Sequence, residues 1–271
     1  MAKLRFDYTA VMGILNATPD SFSDGGQYNQ VDAAIARAKE MIAEGADVID
    51  IGGESTRPGA MLVAADEELA RVIPIIKQLA KEITAPISID TYKPEVARAA
   101  VEAGATIIND VWSGMKDSEM YHVAAQTGAT YIMTHNRRES GSICTIESVC
   151  EEMKQLVHAA KQAGVQDEQI WLDPGLGFAK TYEDNLEIMN NLDQLVALGY
   201  PVLLGASRKT FIRNTLNRPA NEVLEGSLAT TIIGAQLGCA MVRVHDVAAS
   251  KLALMMTDAI IKAGRGGRNN G

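Results

Sequence analysis

Aromatic side chains are scarce in this chain: four Phe, two Trp and seven Tyr make up 5% of its 271 residues. A core built on stacked rings is excluded, so aliphatic side chains and close backbone approach must fill the interior. Cysteine is scarcer still. Cys144, Cys150 and Cys239 are odd in number and lack CxxC spacing, so neither a disulfide framework nor a cysteine zinc site is indicated; with no activating partner evident, Cys144 and Cys150 read as inert thiols. Basic charge is in deficit, with a formal net charge of -9. A face attractive to a nucleic-acid backbone is therefore not expected, and any anionic ligand must meet a local basic cluster. Long apolar runs are also missing. Residues 10–15 are too few for a signal peptide or a membrane span, and residues 227–242 are interrupted by Gln236, Gly234 and Gly238, reading as a buried helix followed by a strand. The expectation is a soluble, cytoplasmic protein. Neither a Ser-His-Asp signature nor HExxH occurs, so nucleophilic hydrolysis and zinc chemistry lack support.

What is present is a repeated unit: an amphipathic stretch that ends at Gly, followed by a short β-branched run. It recurs at Gly45, Gly104, Gly128, Gly199 and Gly238. Gly most readily ends a helix in the left-handed conformation, and continuous apolar runs are what buried parallel strands require. Strands are predicted at residues 10–15, 48–52, 87–90, 107–110, 130–134, 170–172, 202–206 and 241–244. Eight strands can close a barrel, and the length suits one α/β domain of the (β/α)8, or TIM barrel, class over residues 1–271. Helical patterns lie between them. Residues 31–43 put Ala34, Ile35, Ala38, Met41 and Ile42 on one face, and residues 94–103 begin with Pro at a first-turn position. No linker divides the chain, and only residues 264–271 read as a disordered tail. A doubly wound sheet stays open as the alternative, because alternation alone does not prove closure.

On this reading the unusual polar residues fall at the carboxyl ends of the strands, where barrel enzymes build their sites. Strand one ends at Asn16, strand two runs into residues 54–59, strand three ends at Asp90 and strand four at Asn109 and Asp110. Thr134, His135 and Asn136 stand on five, Asp173 on six, Ser207, Arg208 and Lys209 on seven, Arg243 and His245 on eight. Strand alternation would point Gly205, Ser207 and Lys209 one way and Arg208 the other, with Arg243 and His245 together. A lone basic residue at a strand end is ordinarily a solvated rim residue. Four at two adjacent ends of an acidic protein favour a diphosphate. Asp90 and Asp173 across the mouth, with Asn109 beside them, offer acceptors and an amide for a flat, donor-rich heterocycle. The competing reading is that each caps the helix after its strand, and for Asp110 capping is preferred. The Gly-rich segments 20–26 and 52–59 read equally as turns or as mobile lids. His122 and His158 fall in helical patterns and read as structural or surface residues.

At these positions the chain resembles the dihydropteroate synthases of the pterin-binding barrel superfamily. The resemblance covers nearly the whole sequence and rests on residues 13–26 (GILNATPDSFSDGG), 50–59 (DIGGESTRPG), 88–91 (SIDT), 108–111 (INDV), 172–178 (LDPGLGF), 207–209 (SRK) and 243–247 (RVHDV). It implies a transferase that joins 6-hydroxymethyl-7,8-dihydropterin diphosphate to para-aminobenzoate, giving dihydropteroate and pyrophosphate, and that serves as a sulfonamide target. It implies a pterin held by Asp90, Asn109, Asp173 and Lys209, and a diphosphate held by Asn16, Thr56, Arg57, Arg243 and His245, with Mg2+ at Asn16. It places para-aminobenzoate near Phe22, Asp24, Pro58, Phe178, Lys209 and Thr210, with Asp24 orienting the amine. Catalysis would rest on Lys209, Asp173, Asp90, Arg243 and His245, and the mechanism would be dissociative. Thr134 stands before His135 where the family commonly has Met, and Thr210 where Ser is frequent. Two other readings stay open: a pterin-dependent methyltransferase, which needs no diphosphate cluster, and a non-catalytic pterin-binding paralogue. A homodimer is expected, through an apolar outer helix at residues 227–238 or 247–261.

Overall fold

A computed structural model describes residues 4–17, 27–54, 62–137 and 144–265. Among these, eight parallel strands alternate with helices: β1 (Ala10–Asn16), β2 (Val48–Gly52), β3 (Ile87–Asp90), β4 (Ile107–Asp110), β5 (Thr130–Thr134), β6 (Ile170–Asp173), β7 (Leu203–Leu204) and β8 (Met241–Val244). Neighbours pair in the order β6-β5-β4-β3-β2-β1-β8-β7. The ring closes between β6 and β7 through the single bridge Leu172–Val202 and the bond from the Leu172 N–H to the Pro201 carbonyl, 2.9 Å. The chain is a TIM barrel, and the closure rules out the doubly wound alternative.

Local chemistry explains the alternation. All five recurrent glycines, Gly45, Gly104, Gly128, Gly199 and Gly238, have positive φ, from 67° to 124°. At Gly104 the backbone N–H returns to the carbonyls of Ala100 and Val101, stopping α3 (Pro94–Ala103) so that β4 can start three residues later. Pro94 sits in the first turn of that helix, where its missing N–H costs nothing. α1 (Gln27–Ala43) buries Ala34, Ile35, Ala38 and Met41 against the outside of the barrel. Between β5 and β6 runs α5 (Ile146–Gln162); α6 (Tyr182–Asn190) follows β6 and opens with a reciprocal cap between Thr181 and Asp184. The other helices are α2 (Ala65–Glu82), α4 (Glu119–Thr127), α7 (Leu192–Val196), α8 (Thr210–Leu216), α9 (Leu224–Gln236) and α10 (Val247–Arg265).

Two apolar layers result. The larger lies between strands and helices. The smaller fills the barrel: Ala10, Met12, Val48, Ile107, Ile132, Trp171, Leu203 and Met241. Trp171, 2% exposed, is the one large ring of that plug. Its removal would leave a cavity that costs about 3–5 kcal/mol. The plug closes the lower barrel, so polar side chains one layer above it open to one face only.

Two sequence expectations change at the edges. β7 spans two residues rather than 202–206, because the chain turns at once: Arg208 has φ 58°, and the Lys209 N–H bonds to the Ala206 carbonyl at 3.1 Å. Ser207, Arg208 and Lys209 diverge because of that turn, not because of strand alternation. At the C-terminus Gly264 and Arg265 belong to α10, and the remainder of the expected tail lies outside the described residues.

Candidate active site

Asp90 and Asp173 end β3 and β6, Asn109 is the last residue but one of β4, and all three are nearly completely buried. Gly52 and Gly205 leave the wall between them bare. A Cβ at Gly205 would sit 3.4 Å from Asp173 Oδ2 and 3.9 Å from Lys209 Nζ, so these two groups share the space above it. The structure thus brings together Asp90, Asn109, Asp173 and Lys209, and adds Arg243 at the centre.

Arg243 reaches inward from β8. Its Nε donates to Asp50 Oδ2 at 2.6 Å and its Nη2 to Asp90 Oδ2 at 2.7 Å; the Asn109 amide approaches the same Asp50 oxygen at 3.4 Å. Burial pushes Asp90 up to about 7; Arg243 opposes the shift and the Asp50 carboxylate adds to it. Asp173 is also raised by burial, against the pull of Lys209 and a bond from the Gly175 N–H at 2.7 Å. Burial works against the charge on Arg243, yet Asp50 and Asp90 hold its pKa above the ordinary arginine value. The Lys209 ammonium donates to the Leu176 carbonyl and lies 4.8 Å from the Phe178 ring centroid. Burial lowers its pKa to about 8, with Asp173 opposing. Two cations and three carboxylates therefore surround one bare-walled hollow, an arrangement suited to a flat ring with several N–H donors.

The rim has a second, more open part. A cleft of about 310 Å³ is lined by Ile14, Leu15, Asn16, Arg37, Met41, Arg208 and His245. His245 is held by Ser207: Oγ lies 3.0 Å from Nδ1 and accepts the His245 backbone N–H at 3.2 Å. Arg208 turns aside into a two-bond pair with Asp246, at 3.1 and 2.5 Å. Asn16 is exposed at the end of β1. Among the described residues no three His, Cys, Asp or Glu side chains gather as a metal site. Mg2+ commonly keeps several waters and takes one or two protein groups beside substrate phosphates, so a lone amide oxygen at Asn16 fits an ion carried mainly by a diphosphate.

Phe178 lies on the connection after β6, and Thr210 opens α8, where its hydroxyl accepts from Arg213 at 2.6 Å. Phe22, Asp24, Thr56, Arg57 and Pro58 lie outside the described residues, as do the segment 20–26 and most of 52–59. Asp110 is structural but does not cap the helix after its strand, which starts at Glu119 behind Ser118; it accepts instead from the N–H groups of Trp112 and Gly114 and from the Tyr131 hydroxyl, at 2.7–2.8 Å. Two residues escaped the sequence reading. Asp50 sits fully buried in the middle of an apolar strand, and that misfit was its signal. Lys180 donates to the carbonyls of His135, Gly175 and Phe178, at 3.1, 2.8 and 3.3 Å.

Residues 12–245 match the family described as pterin binding enzyme, so the chain belongs to that family. The dihydropteroate synthase of Clostridium beijerinckii is 52% identical over 255 residues, 94% of this chain and 95% of that one. A crystal structure of dihydropteroate synthase from Clostridium difficile in the presence of pteroic acid superposes with a TM-score of 0.91, at 49% identity over 94% of this chain and 98% of that one. Dihydropteroate synthase of Xanthomonas albilineans with 4-aminobenzoic acid gives a TM-score of 0.90, at 42% identity over 94% of both chains. Within the pterin-binding enzymes the chain belongs to the dihydropteroate synthases, a family of transferases.

Proposed function

We propose that the barrel mouth joins 6-hydroxymethyl-7,8-dihydropterin diphosphate to para-aminobenzoate, with Asp90, Asn109, Asp173 and Lys209 reading the pterin. The convergence of those four side chains on one bare-walled hollow carries this reading. The diphosphate projects toward the rim, where Asn16, His245 and the fixed charge of Arg243 meet it, with Thr56 and Arg57 from the second loop. Para-aminobenzoate takes the outer position beside Phe178, Lys209 and Thr210, with Phe22, Asp24 and Pro58 completing it.

The methylene C–O bond breaks with its electron pair leaving on pyrophosphate; the aniline nitrogen then bonds to the methylene carbon and releases a proton. Asp90 and Asp173 stabilise the positive charge that the departing group leaves on the ring. Arg243 and His245 stabilise the leaving group, and Asp24 orients the attacking amine. Mg2+ at Asn16 would neutralise part of the pyrophosphate charge when bound.

The test is to mix the protein with the pterin diphosphate, para-aminobenzoate and Mg2+ and to look for dihydropteroate by mass. Product is expected with Mg2+, with loss of turnover in excess EDTA. Absence of product overturns the reading, and full activity in EDTA overturns the metal. A homodimer through α10 is part of the same proposal. Leu252, Met255, Met256 and Ile260 on that helix are between 58% and 68% exposed, an apolar surface of the kind a second subunit covers. No helix among the described residues is long and apolar enough to cross a membrane.

A further inference from the structure

We propose that Asp50 is a positioning residue for the transfer reaction: it takes the Nε of Arg243, so that Arg243 engages Asp90 through one N–H and leaves the second Asp90 oxygen to the pterin. The inference rests on the reading that the pterin sits on Asp90.

The guanidinium is a planar fork whose Nε and Nη groups together match both oxygens of one carboxylate. Arg208 uses its fork that way on Asp246, through Nε and Nη2 to separate oxygens. Arg243 does not. Its Nε goes to Asp50 and its Nη2 to Asp90, so the fork is split between two carboxylates on different strands. Register explains the split. Gly52 on β2 pairs with Asp90 on β3 while Asp50 pairs with Ser88, so Asp50 lies one layer deeper in the barrel than Asp90. The deeper carboxylate draws the Nε end of the fork below the mouth. In consequence Asp90 engages Arg243 through Oδ2, and its buried Oδ1 has no hydrogen-bond partner among the described residues. A buried carboxylate oxygen in that state is an acceptor prepared for a ligand N–H. Asp50 Oδ2 also receives the Asn109 amide, so one deep side chain touches two of the residues assigned to the pterin. Without its charge, the fork has Asp90 as its remaining carboxylate partner and closes on both oxygens.

Asp50→Asn preserves size and removes the charge. Calorimetry with 6-hydroxymethylpterin, which lacks the diphosphate, should show affinity reduced about tenfold, the equivalent of one charge-assisted hydrogen bond. Pyrophosphate with Mg2+ should lose less affinity than the pterin does, because Asn16 and His245 at the rim do not touch Asp50. A pH series adds a readout that a merely structural role would not move. Asp90 is faced by Arg243 from β8, Asp50 from β2, Glu68 from the helix after β2, Asp110 from β4 and Lys209 from the turn after β7. Wild-type pterin affinity should fall as the pH drops through about 7, where Asp90 takes a proton; in Asp50→Asn that limb should move to more acid pH. In an Arg243→Gln background the further effect of Asp50→Asn should vanish. That pair of variants carries the same test if Asp50→Asn alone folds poorly. Wild-type pterin affinity in Asp50→Asn, or losses that multiply in the double variant, would overturn the proposal. Asp90→Asn separates the two levels. If it leaves pterin binding intact, the site reading fails; if it weakens binding while Asp50→Asn does not, the positioning role alone fails.

Discussion

His135 shows how much of this site depends on side chains that the substrate never meets. Its ring is fully buried against α5, Nε2 lies 3.0 Å from the Glu152 carboxylate, and Nδ1 has no hydrogen-bond partner among the described residues. Burial, reinforced by the nearby Lys180 ammonium, lowers its pKa to about 4, from an ordinary value of 6.5. The unfolded chain therefore takes up this proton first. Stability should be undiminished above about pH 6.5 and should fall as the pH drops toward 4, by up to about 3 kcal/mol from this group. Urea unfolding at pH 7 and pH 4.5 checks it: His135→Gln should lose less stability between the two than wild type. The residues at strand ends were legible in the sequence because a Gly-terminated helix and a β-branched run locate each strand, and its end is then found by counting. Asp50 is not assigned from the sequence, because a carboxylate inside a strand acquires meaning only from the fold that brings the Arg243 side chain to it.

At the scale of elements, the connection from β6 to α6 carries more constraint than its length suggests. Gly175 and Gly177 have φ of 66° and 81°, and Ala179, with a side chain, has 48°. A Cβ at Gly175 would stand 1.8 Å from the His135 carbonyl oxygen, so this turn lies directly on the end of β5. Lys180 fastens it, donating to three carbonyls at once. The turn delivers the Leu176 carbonyl and the Phe178 ring to Lys209. Lys180→Met should leave those buried acceptors short of a donor, lowering stability by about 1–3 kcal/mol. It should also raise KM for para-aminobenzoate, because Phe178 and Lys209 lose their common support. Thermal melts and steady-state kinetics together check this; an unchanged KM would show that the turn holds its shape without the lysine. Sequence reading located LDPGLGF here but missed Lys180, because a lysine bonded only to main-chain carbonyls leaves no paired acidic residue to notice. The short β7 was overextended for a similar reason. Residues 202–206 are apolar enough to continue, and the left-handed Arg208 that turns the chain has no Gly to announce it.

For the whole molecule the net charge is -9, and at the mouth Lys209 and Arg243 stand among the carboxylates of Asp50, Asp90 and Asp173. Electrostatic attraction of an anionic substrate is then local rather than global. The outside of the barrel, beside β1 and α9, carries the apolar surface of α10. If a second subunit covers it, Leu252→Glu with Met256→Glu should convert a dimer into a monomer by light scattering, with the active-site residues unaltered. A wild-type protein that elutes as a monomer at micromolar concentration would rule that interface out.

The closure between β6 and β7 gives the ring one thin seam, with a two-residue strand on one lip and a single bridge across it. Asp173 stands on one lip and Lys209 on the other, joined above the seam by the bond from Lys209 to the Leu176 carbonyl. A cylinder with one weak stave opens there first. The amides flanking that gap, Leu172 and Leu203, should exchange their hydrogens with solvent sooner than Ile49 or Ile89, whose strands are paired on both sides. A bound pterin touching both Asp173 and Lys209 would act as a clamp across the gap. Its protective effect should then be felt along the barrel wall well below any atom it contacts.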